Sequence, residues 1–191
     1  MIITYQGDNY FKIQSGDLVV LIDPTNGRSF RGATAVVNTT LPPSTEAPKE
    51  NECFWIEHQG EYEVQGIRID GWSAGNEDET EKTIYRILFE DISIVVLGHL
   101  SKEPAQNIWE HIEHPDVLIV PAGGKPWISQ AAAAKFVRQA EPSVIIPSLT
   151  SDPKLFFKEL NKPAPQKEEK FVFKKKDLIP SAMTIKYLES K

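Results

Sequence analysis

Few side chains in this sequence are equipped for chemistry, and the best placed of them stand at the ends of apolar runs. His99 follows Leu97-Gly98, Asp23 follows Leu21-Ile22 and precedes Pro24, and Asp8 sits in Gly7-Asp8-Asn9. An imidazole and two carboxylates could share a divalent ion such as Zn²⁺ or Mn²⁺. Each also has a plainer use: His99 as a hydrogen-bonded side chain at a strand end, Asp23 as a cap on the loop at Pro24, Asp8 as a turn former. His111 and His114 fall at a helix end, where the dipole favours them, and His58 falls in a turn. The single cysteine, Cys53, precedes Phe54-Trp55-Ile56 and reads as a small buried apolar residue with no histidine partner. Gly123-Gly124-Lys125 lacks the G-x-x-x-x-G-K-[ST] spacing of a phosphate loop.

The elements that would position these groups alternate in two ways along the chain. The first half is strand-rich: 2–5, 10–14, 18–22 and 33–37 are apolar runs or apolar/polar alternations, with a turn at Ser15-Gly16-Asp17. Residues 53–57 and 61–69 read as a strand pair around His58-Gln59-Gly60, and 83–89 and 92–97 as strands joined at Glu90-Asp91. Residues 41–51 are rich in Pro, Ser, Thr and Glu and read as irregular. After Gly98 helices enter. Ile108, Trp109 and Ile112 have helical spacing and Pro115 stops it, Ser129 caps a helix over 130–140, and Asp152-Pro153 opens another. Strands at 116–121 and 143–147 lie between these helices, and 171–174 and 184–188 close the chain. This order predicts a layered α/β fold.

One hundred and ninety-one residues are enough for one domain with a proper core. A net charge of -6 argues against a nucleic-acid partner, which would need a concentrated basic face. The lysines at 167, 170 and 174–176 are the nearest approach to one and read as solvated. Apolar runs are too short to span a bilayer, no signal peptide is visible, and one thiol fits a reducing cytoplasm. The acidic run Gly75 to Lys82 reads as a solvated loop, with a protein-binding role for Glu77 to Glu81 as the other possibility.

Taken in order, Ile3-Thr4-Tyr5-Gln6-Gly7, Phe11-Lys12-Ile13 and Leu21-Ile22-Asp23-Pro24 resemble the opening of the metallo-β-lactamase superfamily. The likeness is to the bacterial and archaeal branch of Zn-dependent hydrolases of the β-lactamase fold. Gly60-Glu61-Tyr62-Glu63-Val64 with Gly66, Lys82-Thr83-Ile84-Tyr85, Leu97-Gly98 and Asp116 to Gly124 match the same branch, as do Glu141-Pro142, Ile145-Ile146-Pro147 and Lys176-Asp177-Leu178. The resemblance covers nearly the whole chain. It implies a four-layer αββα sandwich with the active site at one edge between two sheets, its glycine pair at Gly123-Gly124 lining that edge.

The resemblance also implies where metal ligands belong, and there this sequence departs from it. The family places T-H-x-H-x-D-H after the strand ending at Val37. Here the first His position is Thr39, the second Leu41, the Asp Pro43 and the last His Ser44. The family's next His falls near Asn76, its bridging Asp at His99, and its final His at Leu149. Leucine and proline have no donor atom, and Thr, Ser and Asn are weak zinc ligands. Asp8, Asp23, Thr39, Asn76 and His99 would then line a vestigial cleft. The expectation is a non-catalytic binding or scaffold module with no cofactor. Its partner would be a small molecule or a protein, or a second copy by analogy with relatives that dimerise. The alternative is a hydrolase with Zn or Mn held at a relocated site by Asp8, Asp23, His99 and Asn76.

Overall fold

The computed structural model describes residues 1–48, 52–77 and 79–191. The N-terminal sheet starts as an antiparallel meander of β1 (Ile2–Gly7), β2 (Tyr10–Ser15) and β3 (Leu18–Ile22). β4 (Ala35–Val37) then pairs in parallel with β3. After the short β5 (Thr40–Leu41) comes β6 (Phe54–Ile56), which extends the same sheet in parallel with β4. The second sheet takes β7 (Gly60–Val64), β8 (Ile67–Glu77), β9 (Thr80–Phe89) and β10 (Ile92–Val96) as successive antiparallel neighbours.

Helices appear where the sheet turns parallel, because a parallel pair needs a crossover. α1 (Gln106–Ile112) leads to β11 (Val117–Pro121), and α2 (Gln130–Ala140) leads to β12 (Val144–Ser148). α3 (Lys154–Glu159) is followed by β13 (Lys167–Glu168), β14 (Phe171–Val172), β15 (Thr184–Ile185) and β16 (Tyr187–Leu188). Among the described residues the sheet orders are β14-β1-β2-β3-β4-β6 and β15-β12-β11-β10-β9-β8-β7, with β5 on β9 and a small β13-β16 pair.

The layers follow from side-chain alternation. Ile3, Phe11, Ile13, Val20 and Ile22 of the first sheet pack against Ile69, Ile87, Ile94, Ile119 and Ile146 of the second in one buried cluster. The other face of the second sheet, with Val95, Leu118 and Ile145, buries Ile108, Phe136, Val137 and Phe156 of the helices. On the outer face of the first sheet, Phe30, beside the 3-10 turn Gly27–Ser29, packs edge-on against Trp55 of β6. That layer is thin, and the arrangement is the αββα sandwich. Each helix that packs on it buries on the order of 1.5–3 kcal/mol per large apolar side chain.

Four local readings need correction. Residues 53–57 and 61–69 are not a pair: β6 joins the first sheet beside β4, and β7 and β8 are themselves a hairpin of the second. The break at Gln65-Gly66 has φ of 50° and 79°, a tight turn that interrupts an otherwise continuous alternation. The run from Gly75 to Lys82 is no loose loop, since β8 continues to Glu77 and β9 begins at Thr80; Asp78 lies outside the described residues. The 41–51 stretch begins in β5 against β9, and residues 49–51 lie outside the described set. At α3 the cap is shifted by one, with Pro153 at the N-cap and Asp152 Oδ1 accepting from Lys154 N at 3.3 Å.

Candidate functional site

The carboxyl ends of β3, β4, β10, β11 and β12 gather on one edge of the sandwich, and Asp23, Thr39, His99, Gly123 and Leu149 follow them within one to three residues. This is where an α/β fold presents loop side chains to a ligand.

Asp23 organises the edge. It is 6% exposed and adopts φ 43°, and its backbone N–H bonds Val37 O at 2.9 Å, tying the turn to β4. Its carboxylate accepts three hydrogen bonds: Thr39 N on Oδ1 at 2.6 Å, Thr39 Oγ1 on Oδ2 at 2.5 Å, and Asn9 Nδ2 on Oδ2 at 2.6 Å. Three donors satisfy the desolvated charge. Thr39 is fully buried and its hydroxyl also lies 3.0 Å from His99 Nδ1. That hydroxyl has one proton, and the 2.5 Å contact commits it to the acceptor-only Asp23 carboxylate. Its remaining bond to His99 must therefore be accepted. His99 then carries its proton on Nδ1, with Asp23 Oδ2 3.5 Å away, and Nε2 is the ring nitrogen left over.

Gly98 makes this contact possible. Its φ is 58°, and a Cβ there would collide with Cβ and Oγ1 of Thr39. Gly123 plays the same part on the next strand, where a Cβ would strike the carbonyl of Leu149.

His99 lines a cavity of about 280 Å³ together with Thr40, Glu77, Lys82, Pro126 and Trp127. Its ring meets Trp127 edge-on at 4.8 Å between centroids. Lys82 is 8% exposed, bonds Glu77 Oε2 at 2.6 Å and Ser101 Oγ at 2.7 Å, and holds its ammonium 5.7 Å from the Trp127 ring centroid. Ser101 Oγ also donates to Glu77, and Lys102 Nζ approaches Glu77 Oε1 at 2.9 Å. The bonds from Lys82, Ser101 and Lys102 hold the Glu77 carboxyl at about 2, well below the ordinary range.

Of the residues expected in a cleft, Asp23, Thr39 and His99 come together and the other two do not. Asp8 is exposed with φ 52°; its carbonyl accepts from Tyr5 Oη and Leu149 N, and it borders a separate cavity of about 500 Å³ with Leu149, Thr150 and Lys167. Burial, and then the charge of Asp8, push the Tyr5 phenol up to about 12. Asn76 is exposed opposite Glu81 in the β8–β9 hairpin and borders a third cavity with Gln59 and Ser73. Lys82, Glu77, Ser101 and Trp127 were not anticipated from the sequence. The available signal was a glutamate and a lysine flanking a hairpin tip, where cross-strand pairing brings opposite charges together.

The family's metal does not suit this donor set. Asp23 is consumed by Thr39 and Asn9, Leu41 and Leu149 carry no donor, and Ser44 is exposed in the loop after β5. Among the described residues no group of three or more His, Cys, Asp or Glu could hold a metal ion. Among the described residues, the buried acceptors without a protein partner include the amide oxygens of Asn9 and Asn38, which suit hard cations in larger oxygen sets and not zinc.

Similarity to known proteins matches this fold. A protein from Thermotoga maritima, described as a Zn-dependent hydrolase of the metallo-beta-lactamase superfamily, superposes with a TM-score of 0.78 at 20% identity, over 100% of this chain and 99% of its own. A protein described as a metal-dependent hydrolase from Parabacteroides distasonis gives 0.71 at 13% identity, over 99% and 93%. The metallo-beta-lactamase fold protein YhfI from Bacillus subtilis gives 0.68 at 11%, over 99% and 96%. No curated protein matches the sequence. No helix among the described residues is long and apolar enough to cross a membrane. The sequence profile of the Beta-lactamase superfamily domain matches residues 2–148, so this chain belongs to the β-lactamase superfamily.

Proposed function

We propose that this protein is a metal-free member of its superfamily that holds a small ligand at the edge where metal-dependent relatives do their chemistry. One observation carries the reading: the Asp23 carboxylate accepts three hydrogen bonds, one on Oδ1 and two on Oδ2, from Thr39 and Asn9, so the buried carboxylate of this edge is engaged in fastening a loop. His99 is held from behind by the same network and faces a cavity, an arrangement suited to binding. A role as a non-catalytic binding module in the cytoplasm, alone or paired with a second copy, is in keeping with one unpaired cysteine.

The relocated hydrolase site of Asp8, Asp23, His99 and Asn76 is the weaker reading, because Asp8 and Asn76 border other cavities. Thermal denaturation with and without chelator, and with added Zn²⁺ or Mn²⁺, separates the two. An ion at a hundred times its dissociation constant stabilises a native site by about 2.7 kcal/mol. The metal-free reading expects an unchanged midpoint throughout. A midpoint that falls with chelator and recovers with one ion overturns it.

A further inference from the structure

We propose that the cavity between β9 and the Trp127 loop binds a small aromatic carboxylate, its carboxylate between the Lys82 ammonium and the His99 imidazole and its ring along Pro126 and Trp127. The inference rests on the metal-free ligand-binding reading and names the ligand class of that site.

Charge comes first. Glu77 lies between two lysines, Lys82 at 2.6 Å and Lys102 at 2.9 Å, so two cations face one carboxylate. Within the Glu77, Lys82 and Lys102 cluster two positive charges meet one negative. Such a spot invites an anion.

Donor accounting then places the anion. An ammonium has three donors. Lys82 gives one to Glu77 and one to Ser101, and the third has no protein partner among the described residues. His99 gives Nδ1–H to Thr39, and its Nε2 has none either. Both residues line the same cavity and both sit against the same indole. Binding of the carboxylate brings one proton from solution onto Nε2, which donates it to a ligand oxygen, while Asp23 Oδ2 lies 3.5 Å from Nδ1 on the other side of the ring. A carboxylate thus accepts from Lys82 with one oxygen and from His99 with the other.

Size and lining set the rest of the molecule. At about 280 Å³ the cavity is below the range for drug-sized ligands and fits one ring. The half-buried indole of Trp127 and the exposed ring of Pro126 offer flat apolar surface, which aromatic carbon matches.

Benzoate is the probe, titrated into the full chain in the presence of chelator. The readouts are the indole N–H signal of Trp127, assigned through Trp127→Phe, and calorimetry. The expected result is saturable binding that moves this signal, at least about tenfold weaker for acetate, benzamide and the His99→Gln protein. Lys82→Met should weaken it similarly, and His99→Gln keeps the test valid where loss of Lys82 disturbs folding. No binding by benzoate, equal binding by acetate, which would make this an unspecific anion site, or equal binding by benzamide would overturn the proposal. Binding seen only without chelator would instead overturn the metal-free reading on which it rests.

Discussion

The hydroxyl of Thr39 joins His99 to the buried carboxylate of Asp23, giving its proton to Asp23 at 2.5 Å and accepting one from His99 Nδ1 at 3.0 Å. Thr39, at the position the resemblance assigns to a metal-binding imidazole, is thereby the link of a hydrogen-bond chain. Thr39→Val keeps the shape and removes both bonds. It should cost about 1–3 kcal/mol in chemical denaturation, because Asp23 and His99 each lose a buried partner, and Thr39→Ser should cost clearly less. Equal stabilities for the two variants would contradict this role.

Gly98 and Thr39 are also coupled by space. Gly98→Ala places a methyl group into Thr39 at φ 58°, and should cost roughly 1–3 kcal/mol for the backbone and more for the collision. In a Thr39→Gly background the same change should be less destabilising, and a double-mutant cycle measures the difference. An additive cycle would mean the collision is relieved elsewhere.

Much of the scaffold was legible because strands in this chain advertise themselves. Leu18 to Ile22 and Val117 to Pro121 are unbroken apolar runs, and they are buried between layers as such runs should be. The Ser129 cap was equally plain, its side chain accepting from Ala132 N at 3.1 Å. Partner choice was not legible. Residues 54–56 lie three residues from β7 in sequence, yet they pair with β4, since parallel pairing with a distant strand leaves no local mark. At the site, family spacing led to Thr39 and His99, and a strand end led to Asp23. Lys82 escaped because an acidic, lysine-bearing segment looks solvated until the hairpin register brings Glu77 to it.

That ion cluster should be visible in acid. Glu77 has its carboxyl depressed to about 2, from an ordinary value near 4.5. A depressed carboxyl contributes stability that is fully present above the ordinary value and is lost as the pH falls through the folded one. Glu77→Gln should therefore be less stable than the parent near neutrality, and the gap should close between about pH 4.5 and 2. A gap independent of pH in that window would show that the carboxylate charge is not what matters.

Phe11 tests the inter-sheet core. It is fully buried and stacks on Tyr5 at 4.8 Å between centroids. Phe11→Ala should cost about 3–5 kcal/mol in denaturant unfolding, through lost burial and the cavity left behind. A loss below about 1 kcal/mol would mean that the two sheets close over the gap.

The claim on which the rest depends is that this edge holds no metal, and metal content tests it most directly. The protein would be purified without a metal-binding tag, after growth with added Zn²⁺, Mn²⁺ and Fe²⁺, and analysed by mass spectrometry. The account predicts every metal far below one ion per chain, with no change in the His99→Ala protein. Near-stoichiometric metal that disappears on His99→Ala would contradict it, and would make His99 a ligand of a rebuilt catalytic centre.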